Sequence, residues 1–279
     1  MKIAVPRETR AGERRVALVP ESCKKLVAAG IEVAVEAGAG SAAYFADATF
    51  EEVGATVVPD GAALLGTADL VLMVQPPTTA QVGPRRDGAM RLTTLMPLRN
   101  LEVVQALATR GVTAFSTDCI PRTTRAQSMD TLSSMANIAG YKAAIIGAEQ
   151  CAKYFPMFMT AAGTVFAAKV LVIGAGVAGL QAIATARRLG ANVSATDTRA
   201  VVKEQVESLG AKFVTADLGE DAQTASGYAK ELSAAAQQKQ VEFLAQQVAA
   251  ADVVITTALI GGYKAPKLIT ADMVAAMRP

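Results

Sequence analysis

The chain has 279 residues, 52% of them hydrophobic, which is enough to bury the cores of two α/β domains. Net charge is only +2, aromatic residues make up 5% and Trp is absent, so neither the basic stripe nor the stacking platform of a nucleic-acid binder is present. There is no His at all, which excludes a His-ligated metal, a Ser-His-Asp triad and a Cys-His pair, and removes the commonest proton shuttle of dehydrogenases.

The N-terminus, MKIAVPRETRAGERR, is charged from the start and has no apolar region of a signal peptide. The longest uncharged stretches, near 154–168 and 170–186, carry Pro156 and Gly163 or a glycine-rich turn, so no membrane span is expected. Cys23, Cys119 and Cys151 lie far apart without a CxxC pair, which points to a reducing compartment.

In chain order, strands are expected at Lys2–Pro6, Ile31–Val35, Leu70–Val74, Leu92–Met96 and Val112–Ser116. Helices are expected at Pro20–Ala29, around Thr49–Val53 and at Leu101–Arg110. This alternation predicts a parallel, doubly wound sheet. Residues 121–142 then read PRTTRAQSMDTLSSMANIAGYK, with two Arg, a Gln and an Asp just after a strand. Arg122 and Asp130 could pair and pin a loop from which Gln127 projects its amide. The same residues also read as a polar helix entry, with Asp130 capping a helix from Thr131 to Ala152.

The strongest motif follows. Val170 to Ile173 read as a buried strand that runs into Gly174-Ala-Gly176-Val-Ala-Gly179, which opens a helix ending at Gly190. A second apolar run ends at Asp197. This is the strand, turn, helix and strand of a dinucleotide fingerprint. Gly174 permits the tight turn, Gly176 lets the backbone approach a pyrophosphate, and Gly179 lets helix and strand pack closely. The helix start offers N–H groups and partial positive charge to phosphates. The Asp197 carboxylate can accept bonds from ribose hydroxyls and disfavours a 2′-phosphate, so NAD(H) is preferred over NADP(H); Arg199 stands nearby as a counter-indication. The turn could still belong to another kind of α/β protein.

A helix is expected at Val201–Leu209 and a strand at Lys212–Thr215. The long polar segment that begins at Ala216 reads either as a lid or as a disordered insertion. A helix near Val241–Ala250 and a strand at Asp252–Thr256 follow, and the pattern calls for at least one strand beyond Pro279. The expected architecture is two doubly wound parallel-sheet α/β domains, 1–138 and 139–279, with the C-terminal side of the second sheet incomplete. That both are Rossmann-like, with an NAD site in the cleft between them, is what the family resemblance carried by the following segments implies.

Several segments carry a resemblance: ERRVALVP at 13–20, the RAQSMD loop, TAAGT at 160–164, the glycine-rich stretch at 174–191, KEQVESLGAKF at 203–213 and GGYKAPKLIT at 261–270. Together they make the chain resemble the NAD(H)-binding component of proton-translocating nicotinamide nucleotide transhydrogenases. The resemblance implies that Arg122, Gln127 and Asp130, with Ser133 beside them, hold the nicotinamide end. It implies that Gly174, Gly176, Val177, Gly179, Asp197, Thr198 and Arg199 bind the rest of the nucleotide. Gly227 and Tyr228 would belong to a mobile loop that closes over the site, with Gln240 after it and Leu259 at the sheet edge. Implied partners are an NADP(H)-binding component, a membrane component and a second copy of the chain, at the cytoplasmic face of the inner membrane. One departure is Gly261, where the family usually has Pro.

The related alanine dehydrogenases resemble this N-terminus, Arg15 included. They place a substrate-carboxylate Lys where this chain has Gln75, and an acid/base His where it has Met96. Amino-acid oxidation needs a proton acceptor, and both residues that would serve it are replaced. A third reading is a non-catalytic NAD-binding subunit, also compatible with the absence of His. Direct hydride transfer between two nicotinamides needs no proton shuttle either.

Overall fold

Residues 2–5 and 32–36 read KIAV and EVAVE, and in each the large and small apolar side chains alternate along an extended backbone. Ile3, Val5, Val33 and Val35 pack into one core, whereas Ala4 and Ala34 pack into another with Leu64, Val71 and Met73. A strand buried on both faces must be covered on both, and helices flanking a parallel sheet provide that cover. The computed structural model describes residues 1–83, 88–216, 233–258, 265 and 267–278, and only the backbone of 234–237. The chain divides into two units, Met1–Thr131 and Leu132–Pro279.

The first unit runs β1 (Lys2–Val5), α1 (Pro20–Ala28), β2 (Glu32–Glu36), α2 (Asp47–Glu51), β3 (Thr56–Val58), α3 (Gly61–Thr67), β4 (Leu70–Leu72), α4 (Thr79–Val82), β5 (Met90–Thr93), α5 (Leu101–Thr109) and β6 (Thr113–Ser116). Its strands pair in parallel in the order β3-β2-β1-β4-β5-β6, the arrangement of a doubly wound dinucleotide fold. Pro20 at the first helical position of α1 has a preset φ suited to starting a helix. Asp60 caps α3 by accepting from the N–H groups of Ala62 and Ala63, and Thr78 with Gln81 closes a capping box on α4.

The second unit runs α6 (Thr131–Gln150), a hairpin of β7 (Phe158–Thr160) and β8 (Gly163–Val165), β9 (Lys169–Ile173), α7 (Val177–Arg188), β10 (Asn192–Thr196), α8 (Lys203–Ser208), β11 (Lys212–Phe213), α9 (Ala234–Ala250), β12 (Val253–Thr256) and α10 (Ala271–Ala275). Apart from the antiparallel hairpin, its described strands form one parallel sheet of four in the order β11-β10-β9-β12. Val170 and Val172 face the core beneath α7 and α8, and Leu171 and Ile173 face the core of α9 and α10. Gly140 of α6 lies so close to α7 that a Cβ there would sit 2.0 Å from the Ala178 carbonyl oxygen. Among the described residues no helix is long and apolar enough to cross a membrane.

Most expected elements are present, with instructive differences. The strand expected at Leu92–Met96 occupies Met90–Thr93 instead. Met96 has φ +46°, a left-handed conformation that no strand contains. Strand β3 and helices α3 and α4 are not among the expected elements; β3 and α4, with three and four residues, are too short to show a period. The hairpin of β7 and β8 is read at the sequence level only as a Pro- and Gly-bearing stretch; its Gly163 takes φ +128°.

Candidate functional site

The second sheet reverses direction beside β9. From β9 the chain steps outward through β10 and β11, then returns to the other side of β9 as β12. In such sheets a crevice opens at the carboxyl ends of the strands where the order reverses. The glycine turn stands at that place, between the end of β9 and the start of α7.

Each glycine answers a different demand. Gly174 takes φ +98°, and a Cβ there would lie 2.7 Å from Thr257 Oγ1. Gly179 is buried against the turn itself, where a Cβ would fall 1.8 Å from the Gly174 carbonyl oxygen. Gly176 is different: nothing lies within 4 Å of where its Cβ would be. That open space beside a helix start is the cradle a pyrophosphate requires, and a side chain would fill it. Helix α7 has no side-chain cap and no acidic residue in its first turn. The first-turn N–H groups, which lack intrahelical acceptors, therefore remain for an anion. Val177, in that turn, is exposed. At the other end Gly190, at φ +90°, ends the helix in a left-handed turn.

Asp197 follows β10 and reaches back to this turn. Its Oδ2 accepts the Ala175 N–H at 2.7 Å, and its Oδ1 accepts the Arg199 N–H at 2.8 Å. The Arg199 guanidinium adds two bonds of 3.0 Å, one to each oxygen. Burial alone would raise the pKa of Asp197, but the Arg199 side chain and the two N–H donors hold it below the usual value. The carboxylate is therefore ionised at neutral pH and held against the glycine turn. Thr198 is exposed beside it. Two further residues escape sequence reasoning. Thr257, just past β12, donates Oγ1–H to the Gly174 carbonyl at 2.9 Å and so ties the turn to the neighbouring strand. Ala175 acts only through its backbone N–H, which no side-chain pattern reveals.

The RAQSMD loop forms a 3-10 turn over Thr124–Met129 in the first unit, ending at Asp130, whose N–H donates to the Gln127 carbonyl at 3.3 Å. Arg122 and Gln127 are exposed, Ala126 anchors the turn by burial, and Asp130 is half-buried. Ser133 is half-buried in the first turn of α6, and Gln240 is half-buried on α9. Gly227, Tyr228, Leu259 and Gly261 lie outside the described residues.

Arg15, Gln75 and Met96 occupy the carboxyl side of the first sheet. Glu13 accepts from the Arg15 guanidinium at 2.6 and 2.8 Å and from the Gln75 amide at 2.5 Å. Arg10 donates to the Gln75 side-chain oxygen Oε1 at 2.8 Å. Hydrogen bonds from Arg15 lead the effects that hold the Glu13 carboxyl down at about 2. Glu8 accepts the N–H groups of Val74 and Gln75 at 2.5 and 3.2 Å, while burial raises its pKa.

A glycine turn at a sheet reversal, an uncapped helix start and a carboxylate set into the turn define a dinucleotide-binding α/β protein of two Rossmann-type units. Residues 4–139 match the family model for the alanine dehydrogenase/PNT N-terminal domain, and residues 143–279 match its C-terminal domain. The whole chain is 52% identical to a Rhodospirillum rubrum relative, the first portion of NAD(P) transhydrogenase subunit alpha, of which it spans 74%. It superposes on a solved transhydrogenase from Sinorhizobium meliloti with a TM-score of 0.87 at 46% identity, covering 76% of that chain. A solved L-alanine dehydrogenase is more distant, with a TM-score of 0.77 at 29% identity over 72% of its length. The chain belongs to the alanine dehydrogenase/PNT family, among the alpha subunits of NAD(P) transhydrogenase.

Proposed function

We propose that this chain is the NAD(H)-binding component of a proton-translocating transhydrogenase, passing hydride from NADH to NADP⁺ held on a separate component. The observation that carries the reading is Asp197, an ionised carboxylate bonded into the glycine turn at the ribose position of a dinucleotide fold. When bound, a dihydronicotinamide would supply the hydride, hydrogen and electron pair together, for C4 of the second ring, so this chain would need no proton shuttle. The chain's own task is to hold, orient and shield. Gly174, Gly176, Val177 and Gly179 receive the pyrophosphate, and Asp197, Thr198 and Arg199 meet the adenosine ribose. Arg122, Gln127, Asp130 and Ser133 fix the ring end, Tyr228 helps close the site, and Gly227, Gln240 and Leu259 contribute to holding the nucleotide. A chain without His suits this division of labour, because orientation at near-attack distance replaces acid–base chemistry.

Proton movement is assigned to a membrane component, which would hold this chain at the cytoplasmic face of the inner membrane. A second copy of the chain is the other proposed partner. Its support is apolar exposure in the second unit: Ile138 and Tyr141 on α6, and Met159 and Phe166 at the hairpin, are all more than half exposed. Exposed apolar side chains of this size would be covered in a pairing of two copies. The alanine dehydrogenase reading has less support, since Arg15 and Gln75 are bonded to Glu13.

The test is to mix the protein with the NADP(H)-binding component and follow transfer from NADH to an NADP⁺ analogue. Transfer is expected; tight NADH binding without transfer would leave a non-catalytic binding subunit. Gln127→Ala should slow transfer about tenfold or more while changing NADH affinity less than about threefold, because its role is orientation. Equal losses in both would make it an ordinary binding residue.

A further inference from the structure

Asp197 accepts four hydrogen bonds, and all four come from its own chain. Oδ1 takes the Arg199 N–H at 2.8 Å and Arg199 Nε at 3.0 Å; Oδ2 takes the Ala175 N–H at 2.7 Å and Arg199 Nη2 at 3.0 Å. A carboxylate has about four acceptor positions, so this one is filled. A ribose can bond to Asp197 only after something leaves. The Ala175 and Arg199 N–H groups are fixed by the turn and the strand end. The guanidinium is the donor free to move: it sits on a flexible stem, and its side chain is 38% exposed against 7% for Asp197, so it can swing into water while the two N–H donors stay on the carboxylate.

We propose that the Arg199 guanidinium is a displaceable latch on the ribose site, and that it sets how strongly this site discriminates NAD(H) from NADP(H). The inference rests on the NAD(H) reading of the second unit. The guanidinium makes two bonds, one to each oxygen, and the adenosine ribose has two vicinal hydroxyls to replace them. Once displaced, it remains two residues from Asp197 as a cation beside the 2′ position. There it offsets part of the repulsion between Asp197 and a 2′-phosphate. Arg199 is in this sense a positioning residue: it acts on the nucleotide through Asp197, weakening the preferred ligand and softening rejection of the other.

The experiment is to titrate the full chain with NADH and with NADPH at low and high salt, for the natural protein, Arg199→Ala and Arg199→Lys. Arg199→Ala should bind NADH about two- to fivefold tighter at low salt, the range expected for removing one exposed ion pair. That gain should shrink as salt screens the pair in the natural protein. NADPH should weaken in the same variant, so the NADH:NADPH preference rises about tenfold. Arg199→Lys, which keeps the charge but not the fork, should fall between the two. A residue that merely braced the strand end would change both nucleotides alike and show no salt-dependent gain. Equal weakening of NADH and NADPH in Arg199→Ala, with thermal stability unchanged, overturns the latch while leaving the NAD(H) site intact. Failure of the natural protein to bind NADH would instead overturn the NAD(H) reading itself, and the latch with it.

Discussion

In both units the chain steps outward from its first sheet strand and then returns to that strand's other side, so each sheet has a reversal point: between β1 and β4, and between β9 and β12. The likeness extends to single residues. Val5 pairs with Val35 as Ile173 pairs with Thr196. One residue past the second member of each pair, at Glu36 or Asp197, a carboxylate accepts the N–H of the second residue past the first member, Arg7 at 2.8 Å or Ala175 at 2.7 Å. The difference lies in the loop after the first strand. The second unit has Gly174-Ala175-Gly176, with open space at Gly176. The first has Pro6-Arg7-Glu8, and its crevice is occupied by Glu8, bonded to the N–H groups of Val74 and Gln75, and by the Glu13–Arg15–Gln75 cluster. Topology makes a crevice twice. Whether a ligand can enter is decided by what the chain itself puts there.

The largest expected effect separates the two roles of glycine within the second unit. Gly179→Ala places a Cβ against a backbone carbonyl that cannot yield, and should cost about 2–4 kcal/mol, read as a drop in the denaturation midpoint. Gly176→Ala meets nothing in the protein and should change stability by less than about 0.5 kcal/mol, yet reduce NADH affinity about 100-fold by filling the cradle. If both variants lose stability alike, the open space at Gly176 is not a ligand site and the contrast between the units fails.

How much of this could be read from sequence follows from what periodicity and spacing encode. The glycine turn and Asp197 were legible because each glycine has a distinct steric task and the acid sits a fixed distance on. The long strands and helices were legible because their apolar pattern repeats several times. Helix α4 has four residues and β3 has three, so neither repeats anything, although the Asp60 cap of α3 and the Thr78–Gln81 capping box were signals available to be read. The occupied first crevice was not legible. Glu8, Glu13 and Gln75 are 62–67 positions apart across that contact, and only the pairing of β1 with β4 brings them together. The bond from Ala175 was hidden for another reason: it involves no side chain of that residue.

The next prediction tests the register equivalence. Asp197→Ala should weaken NADH about tenfold, the loss expected when a good acceptor is removed, and relax discrimination against NADPH. An unchanged preference would show that cofactor choice rests on another residue. Glu36→Ala, the same position in the first sheet, should leave NADH binding unchanged and cost about 1 kcal/mol through the lost bond to the Arg7 N–H. Loss of NADH binding in Glu36→Ala would mean that the first crevice also takes part in binding, and the contrast drawn above would collapse.

The smallest expected effect is in the pH dependence of stability, where the first crevice carries carboxylates shifted in both directions and the second carries one shifted down. Glu13 is held at about 2, below a glutamate's ordinary 4.5, chiefly by the Arg15 side chain. A depressed carboxylate stabilises the fold above its unfolded value, and that contribution disappears as pH falls from 4.5 toward 2. Glu8 is raised by burial, so its contribution is present below 4.5 and is lost as pH rises through its elevated value. The first crevice therefore carries two opposed titrations, whereas Asp197, which is depressed, gives the second crevice only the first kind. Glu13→Gln should be about 1 kcal/mol less stable at pH 7 and should lack that part of the natural protein's acid limb. Glu8→Gln keeps one acceptor oxygen but turns an amide NH2 toward one of the two N–H groups, so it should be about 1 kcal/mol less stable at low pH, and it should lack the natural protein's loss of stability as pH rises through the raised Glu8 value. Chemical denaturation between pH 2 and 8 measures both. Curves for the two variants that run parallel to the natural protein's at every pH would mean that neither carboxylate is held as the geometry implies. The first crevice would then be filled by packing alone, not by charge.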